Sequence, residues 1–372
     1  MSSMIMVSIV LPFVSHLVRQ SVACSDKQYE SQVFMIFLMF YAVSMLAHTS
    51  WIDVYTQCGM YVSLALFCIT LGACLYTSST TGPSWETWFM VTWALHAIAS
   101  SALWPLSYRL VNRERRSRTF LVIWGLQGNF GDLCGCVLPL FDQEPPLNVA
   151  VPTFVIVSVG SLLVCISRVQ KEPPPIGADP QALLALHTPR QSHNIPLLVF
   201  SIMASACAKT VSYSASNFMP ALHIHYVLYA VGTVVGTISA GVLADVFQAL
   251  HPLTGAALVL LTMTIVGEYE SSMWHLTWFS VLFGATSAFV SSMLSICVCT
   301  DIADQVQSYG KTTAIFDSFA TLTAAFAQGL VPFGFGTLQL SASGLLCAST
   351  FAMQIIQCGR LSSGCTTISI PS

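Results

Sequence analysis

Apolar stretches long enough to cross a bilayer recur along almost the whole chain. A bilayer core takes about 20 largely apolar residues of helix. Twelve such spans are predicted, at residues 3–23, 32–50, 57–77, 87–108, 119–141, 148–168, 196–219, 224–247, 253–268, 273–298, 311–334 and 338–358. Only 8% of the 372 residues are charged, and the mean hydropathy is +0.72. The sequence therefore predicts an all-α integral membrane protein surrounded by lipid.

A polar, proline-rich segment separates the spans into two sets of six. We predict an N-terminal six-helix half at 1–168, a cytosolic linker at 169–195 and a C-terminal six-helix half at 196–372. The start of the chain lacks a basic region and a clear cleavage site, so we interpret it as a retained span. This two-part organisation is typical of transporters whose halves rock about a site near the membrane midplane.

The basic residues predict the orientation of the spans. With a cytosolic N-terminus, all but three of the 13 Lys and Arg residues fall on the cytosolic side. The exceptions are Lys27, in an external loop, and Arg19 and Lys209, which lie within spans. This bias favours cytosolic N- and C-termini.

Arg19 and Lys209 are the strongest candidates for a binding site. A cation within a membrane is costly and is a functional hypothesis by default. Each lies roughly 20–24 Å along an outward-running span at 1.5 Å per residue, so the two cations are predicted to face one cavity and an anionic substrate. Two alternatives stay open: Arg19 snorkels to the interface, or Lys209 forms a structural pair with a carboxylate such as Asp317.

Other polar residues extend this candidate site. His16 lies three residues before Arg19 and so shares its helical face. Asp132 and Asp317 lie in apolar sequence, where they would pair with the cations, relay protons or line a water-filled path. Asp245 ends the eighth span and is predicted to make a cytosolic helix-end contact, and Asp53 occupies a similar place after the second span.

Several functional classes find no support in the sequence. The net charge of −3 argues against a nucleic-acid partner. Motifs of nucleotide-binding loops, serine hydrolases and zinc proteases do not occur, so we predict no enzyme activity, no cofactor and no metal site. His223 and His225 resemble a metal pair, but we predict a solvated external turn for them.

Two further patterns concern helix geometry. Gly232, Gly236 and Gly241, with Gly128, Gly131 and Gly135, are small residues that favour close helix contact. The pair Trp104-Pro105 predicts a kink in the fourth span.

Motifs in matching order then resemble those of a known family, the organophosphate:phosphate antiporter branch of the major facilitator superfamily. The similarity runs from about residue 12 to 335, and the motifs that carry it are His16-Leu-Val-Arg19, Tyr41-Ala42-Val43, Asp53, Trp104-Pro105, Ile123-Trp124, Gly131, Ala208-Lys209-Thr-Val-Ser-Tyr213, Pro220 and Thr313-Ala314-Ile315-Phe316-Asp317.

The resemblance implies exchange of a phosphorylated sugar or glycerol phosphate for inorganic phosphate, in the endoplasmic-reticulum membrane more than in the plasma membrane. It implies that Arg19 and Lys209 hold the phosphate and adds Tyr213 and Gln127 to the substrate site.

The chain departs from the family pattern at several positions. Asp53-Val54 and Asp245-Val246 stand where the family has loops that help to latch the cytosolic face, the first of them in place of an Asp-Arg pair. Gln127 replaces a histidine, and Asp132 replaces an asparagine. Two rival hypotheses remain: a major facilitator carrier of another organic anion in which Asp132 or Asp317 couples protons, and a transport-dead scaffold.

Overall fold

The computed structural model describes residues 27–52, 56–79, 85–112, 117–141, 195–218, 223–246, 250–298, 309–330 and 335–364. These residues form α-helices and one short 3-10 helix, with turns at 49–52 and 101–102. Helices satisfy their own backbone hydrogen bonds, which a bilayer interior requires. The all-α membrane architecture predicted from the sequence is confirmed.

Eleven α-helices occupy the described part of the chain. They are α1 (Lys27–His48), α2 (Thr56–Ser79), α3 (Trp85–Ser100), α4 (Leu103–Asn112), α5 (Ser117–Phe141), α6 (Ile195–Phe218), α7 (His223–Val246), α8 (Leu250–Tyr269), α9 (Thr277–Cys297), α10 (Tyr309–Leu330) and α11 (Phe335–Gly364). We call α1–α5 the N-terminal helices and α6–α11 the C-terminal helices.

These helices coincide with ten of the predicted spans, α3 and α4 together forming one of them. The predicted spans at 3–23 and 148–168, and most of the linker, lie outside the described residues. Seven helical segments in the described part are long and apolar enough to cross a membrane, by length and composition. Large apolar side chains point outward from several helices, among them Ile69, Val242 and Phe351.

The break between α3 and α4 confirms the predicted kink of the fourth span and shows its cause. Pro105 has no N–H to donate to the carbonyl four residues earlier, and its ring clashes with that carbonyl. The helix therefore breaks at Ser101 and Ala102. The next backbone bond, from Leu106 N to Ala102 O, is 3.2 Å long.

A second interruption precedes α9. The sequence predicts a span from 273, but residues Ser271–His275 form a 3-10 helix and α9 begins at Thr277. Trp274 is buried, and its indole Nε1 donates to the carbonyl oxygen of Gly267 at 3.1 Å. This bond ties the turn to the end of α8.

Helix packing places two kinds of contact at the centre of the molecule. Within the C-terminal helices, α7 packs along α9, and α6 packs against α9, α10 and α11. Between the two groups, α1 and α4 pack against α10, while α5 packs against α7 and α9. Contacts of both kinds bring the candidate site residues together.

Candidate substrate site between the two helix groups

Lys209 lies in the second half of α6, a helix in which most residues are apolar. Its ammonium forms an ion pair with the carboxylate of Asp317 on α10. It also donates to the hydroxyl of Thr321 at 2.6 Å. Asp317 and Thr321 are four residues apart, so both project from one face of α10. The pairing of Lys209 with Asp317, one of the two alternatives drawn from the sequence, is present in the structure.

Tyr41 connects this ion pair to the N-terminal helices. Its side chain, on α1, lies close to Asp317 and interacts with it electrostatically. Tyr213, one helical turn after Lys209 on α6, interacts electrostatically with both Lys209 and Tyr41. Lys209 and Asp317 therefore lie where α1, α6 and α10 meet. We call Lys209, Asp317, Thr321, Tyr41 and Tyr213 the lysine cluster.

The lysine cluster compensates two charges that would be costly alone. A buried ion pair is tolerated when further hydrogen bonds satisfy the N–H donors and carboxylate lone pairs that the pair itself does not use. Thr321 supplies such a bond to the ammonium of Lys209, and Tyr41 lies close to the carboxylate of Asp317. The side chains of Lys209 and Asp317 are 20% and 17% exposed. The ion pair is therefore fixed by its neighbours but is not completely buried.

A second group of polar side chains, on α5, α6, α7 and α9, lies beside the lysine cluster. The hydroxyls of Ser212 on α6 and Ser287 on α9 share a hydrogen bond. The Tyr229 hydroxyl on α7 donates to the backbone oxygen of Ser212 at 3.4 Å. Asp132, on α5, and Tyr213 both interact electrostatically with Tyr229. Tyr213 therefore stands between the lysine cluster and this group.

The structure describes only some of the other predicted site residues. Gln127 lies on α5, and its buried side-chain oxygen accepts no hydrogen bond from the described residues. The backbone of Asp245 ends α7, but its side chain is not described. His16, Arg19 and Asp53 lie outside the described residues. The shared cavity of Arg19 and Lys209 accordingly stays a prediction.

Five residues at the site were not predicted from the sequence: Tyr41, Thr321, Ser212, Tyr229 and Ser287. The only available signal was the place of Tyr41 in a motif shared with the resembling family. Hydroxyl residues are common in apolar spans, and nothing in their order along the chain shows which of them meet.

The prediction of a solvated turn at His225 is wrong. The residue lies in the first turn of α7 and is 3% exposed. Its ring nitrogen Nδ1 and the Ser280 hydroxyl on α9 are 3.2 Å apart, in hydrogen-bonding contact. The close packing of α7 on α9 buries it. The described residues contain no group of three or more His, Cys, Asp or Glu side chains placed to hold a metal.

A contact between α5 and α7 adjoins the site. The side-chain nitrogen of Asn129 donates to the Thr237 hydroxyl at 2.7 Å and to the Thr233 carbonyl oxygen at 3.3 Å. Nearer the start of α5, Val122 lies against Gly241 of α7. Since α5 begins and α7 ends at this edge, the two helix groups are closed against each other there.

Comparison with known proteins gives the same architecture. A family model described as Major Facilitator Superfamily matches residues 1–328. No curated protein matches the chain. The solved structures with a similar fold include the E. coli fucose:proton symporter FucP, 13% identical with a TM-score of 0.65, where 95% of this chain and 98% of that chain are covered.

Two further structures are similar at the same level. A bacterial homologue of the iron transporter ferroportin, in an outward-facing state, is 11% identical with a TM-score of 0.67 and coverage of 96% and 98%. The human organic anion transporter TETRAN is 13% identical with a TM-score of 0.66 and coverage of 95% and 99%. At these identities the likeness concerns the fold alone.

Proposed function

The chain belongs to the Major Facilitator Superfamily, and we propose that, as a transporter of this family, it exchanges a phosphorylated sugar or glycerol phosphate for inorganic phosphate. Secondary transport by alternating access follows from the family and the fold. The substrate and the exchange mode are the proposed part. The TETRAN transporter shows by its name that this fold can carry organic anions.

The observation that carries the proposal is the position of Lys209. A single basic side chain lies within an apolar helix, where the N-terminal and C-terminal helices meet. A lysine ammonium is a compact charge on a flexible stem, suited to follow a phosphate oxygen. The hydroxyls of Thr321, Tyr41 and Tyr213 would donate hydrogen bonds to the other oxygens. Arg19 is the proposed second cation.

The contact between α5 and α7 supports a direction of substrate access. On the orientation predicted from the basic residues, the start of α5 and the end of α7 face the cytosol. Substrate would then reach Lys209 from the opposite side of the membrane. Residence in the endoplasmic-reticulum membrane is part of the same proposal and would make that side luminal.

Exchange in proteoliposomes tests the proposal. Vesicles are loaded with phosphate, and uptake of labelled glycerol phosphate is compared with uptake by phosphate-free vesicles. We expect uptake that requires internal phosphate and is lost in Lys209→Gln. Uptake that needs only a pH gradient would replace phosphate exchange by proton-coupled anion transport. No uptake by the folded wild-type protein would favour the scaffold.

A double variant separates substrate binding from a structural role of the ion pair. Removing one partner of a buried pair costs about 3–5 kcal/mol, whereas replacing both is often neutral. Lys209→Gln with Asp317→Asn should therefore fold better than Lys209→Gln alone. Since it still lacks the cation, it should not exchange phosphate. Recovery of exchange in the double variant would show that Lys209 only holds the helices together.

A further inference from the structure

We infer that the polar side chains beside the lysine cluster form a second pole of the substrate site, which binds the hydroxyl-bearing end of the organic phosphate. These side chains are Asp132, Ser212, Tyr229 and Ser287, and we call them the polyol cluster. The inference rests on the proposed function, because it divides the same site into a pole for the phosphate and a pole for the alcohol. It assigns the residues that distinguish an organic phosphate from inorganic phosphate.

The first observation is the spacing along α6. Ser212 and Tyr213 follow Lys209 by three and four residues, so the three side chains share one face of the helix. At 1.5 Å per residue, Ser212 and Tyr213 lie about 4.5–6 Å beyond Lys209 along the helix axis. A short ester whose phosphate is held by Lys209 can therefore reach Ser212.

Four helices bring the polyol cluster together. Helix α7 packs along α9 and against α5, and α6 packs against α9. The Tyr229 hydroxyl on α7 donates to the backbone oxygen of Ser212, and Asp132 on α5 interacts electrostatically with Tyr229. The hydroxyls of Ser212 and Ser287 share a hydrogen bond. Because α5 is an N-terminal helix and the other three are C-terminal helices, this pole also lies between the two helix groups.

The depth of Asp132 supports a binding role. Lys209 lies 14 residues and Asp132 lies 15 residues after the first residue of its helix, which corresponds to about 21–22 Å of helix. Both helices run outward from the cytosol in the predicted orientation, so the two opposite charges lie at a similar depth. A carboxylate inside a membrane is costly and faces the bundle interior or a water-filled cavity. The site is therefore dipolar.

The groups of the polyol cluster suit an alcohol. Two serine hydroxyls that share one hydrogen bond have a second hydrogen and further lone pairs to offer, and an ionised carboxylate only accepts. A substrate hydroxyl both donates and accepts, so it can bond to either kind of group. A second anionic group on the substrate would instead be repelled by Asp132. The complementary ligand is a phosphate ester that is anionic at one end and carries hydroxyls at the other.

This division predicts how ligands compare. Inorganic phosphate occupies only the pole at Lys209, whereas glycerol phosphate occupies both poles. Propyl phosphate is a matched ligand, because it has the same number of carbons as glycerol phosphate but no free alcohol. A hydrogen bond to a charged group corresponds to about tenfold or more in affinity. The hydroxyls of glycerol phosphate, and not its carbon chain, should therefore supply its additional affinity.

The experiment measures inhibition of labelled-phosphate exchange in phosphate-loaded proteoliposomes by unlabelled glycerol phosphate and propyl phosphate. For wild-type protein, we expect glycerol phosphate to inhibit at a concentration about tenfold or more below that of propyl phosphate. This ratio should fall towards one in Asp132→Leu and in Tyr229→Phe. Asp132→Asn keeps an acceptor oxygen and should keep part of the ratio. Because the ratio compares two ligands in the same vesicles, it does not depend on the amount of folded protein.

Ser295→Ala is the control. It removes a hydroxyl of α9 that donates to the carbonyl oxygen of Ser291 on the same helix at 3.1 Å, and it should leave the ratio unchanged. Equal inhibition of the wild-type protein by the two esters would overturn the inference and leave phosphate exchange in place. An equal loss of affinity for both esters in Asp132→Leu and Tyr229→Phe would also overturn it, because the cluster would then have a structural role.

A binding measurement separates this inference from the proposed function. Absence of phosphate exchange by the folded wild-type protein would remove the proposed function. The Tm of the wild-type protein in detergent is therefore also measured with each ester at equal concentration, since a ligand that binds the folded state raises the Tm according to its affinity. We expect a larger rise with glycerol phosphate than with propyl phosphate. Equal rises, or no rise with either ester, would overturn the second pole without reference to transport.

Discussion

Helix α7 packs against two neighbours through glycines, and the two contacts differ in what the glycines meet. Towards α9, a Cβ atom on Gly236 would lie 2.0 Å from the backbone oxygen of Ala285, and one on Gly232 would lie 2.1 Å from that of Val281. In return, a Cβ on Gly284 of α9 would lie 2.3 Å from the backbone oxygen of Tyr229. Backbone therefore meets backbone along this contact.

Towards α5, the same helix meets side chains. A Cβ atom on Gly241 would lie 2.6 Å from a methyl group of Val122. A Cβ on Gly125 of α5 would lie 3.3 Å from the methyl group of Thr237. Asn129 adds one side-chain amide that bonds to α7. This contact is held by side chains that can rotate or part.

The difference indicates which contact moves. In a membrane, helix association depends on close packing and interhelical hydrogen bonds, since lipid is as apolar as the side chains. The α7–α9 contact joins two C-terminal helices and leaves no room for adjustment. The α5–α7 contact joins the two helix groups and can open without separating backbones. Alternating access would then keep α7 fixed on α9 and break its contact with α5.

The largest expected effect comes from Gly236→Ala. The added methyl group has no room beside the backbone of Ala285, so α7 and α9 must separate. Overpacking costs about 1–3 kcal/mol and sometimes more, and we expect a loss above that range. The measurement is the yield of monodisperse protein and its Tm in detergent.

Matched controls for this change exist in the same molecule. A Cβ atom on Gly255 of α8 or Gly344 of α11 meets nothing within 4 Å. Alanine favours a helix over glycine by about 1 kcal/mol, so both control variants should keep or raise the Tm. An unchanged Tm in Gly236→Ala would show that the α7–α9 contact is not rigid.

An intermediate effect is expected from Gly241→Ala, and it should appear in conformation more than in stability. The new methyl group displaces Val122, which lies on the opposite helix group. A cost of about 1–3 kcal/mol to the closed state corresponds to a shift of roughly 5–150-fold between states. Hydrogen exchange of peptides covering 117–125 and 238–246 should increase, while Gly255→Ala leaves it unchanged. A lowered Tm with unaltered hydrogen exchange would show that the α5–α7 contact is rigid, like the α7–α9 contact.

The positions of the helices could be predicted from the sequence because bilayer thickness fixes the length of an apolar run. The basic-residue bias and the rarity of charges in spans also predicted Lys209 and Asp317 as site residues. Both signals need only the order of residues along the chain. The pair Trp104-Pro105 likewise predicted the kink in the fourth span, although the break itself falls at Ser101 and Ala102.

Apart from the pairing of Lys209 with Asp317, which was one of the alternatives, the contacts across helices described above could not be predicted in this way. The burial of His225 depends on Ser280, 55 residues later. The role of Gly241 depends on Val122, and that of Tyr41 on Asp317. Which face of each helix meets which neighbour is set by packing between the helices. A repeat of small residues predicts that a close contact exists, but it leaves the partner and the mobility of the contact unspecified.

The smallest expected effect comes from Asn129→Ala, which removes the amide that links α5 to α7. A hydrogen bond contributes about 0.5–1.5 kcal/mol net, so the closed state should lose less than it does in Gly241→Ala. Thr237→Val removes the acceptor of the same bond, 2.7 Å from the Asn129 nitrogen, and keeps a similar volume. Because the two changes share the Asn129–Thr237 bond, the double variant should raise hydrogen exchange at 117–125 by less than the sum of the two single effects. Additive effects would mean that the two residues act on the closed state separately, and the α5–α7 contact would then hold through packing alone.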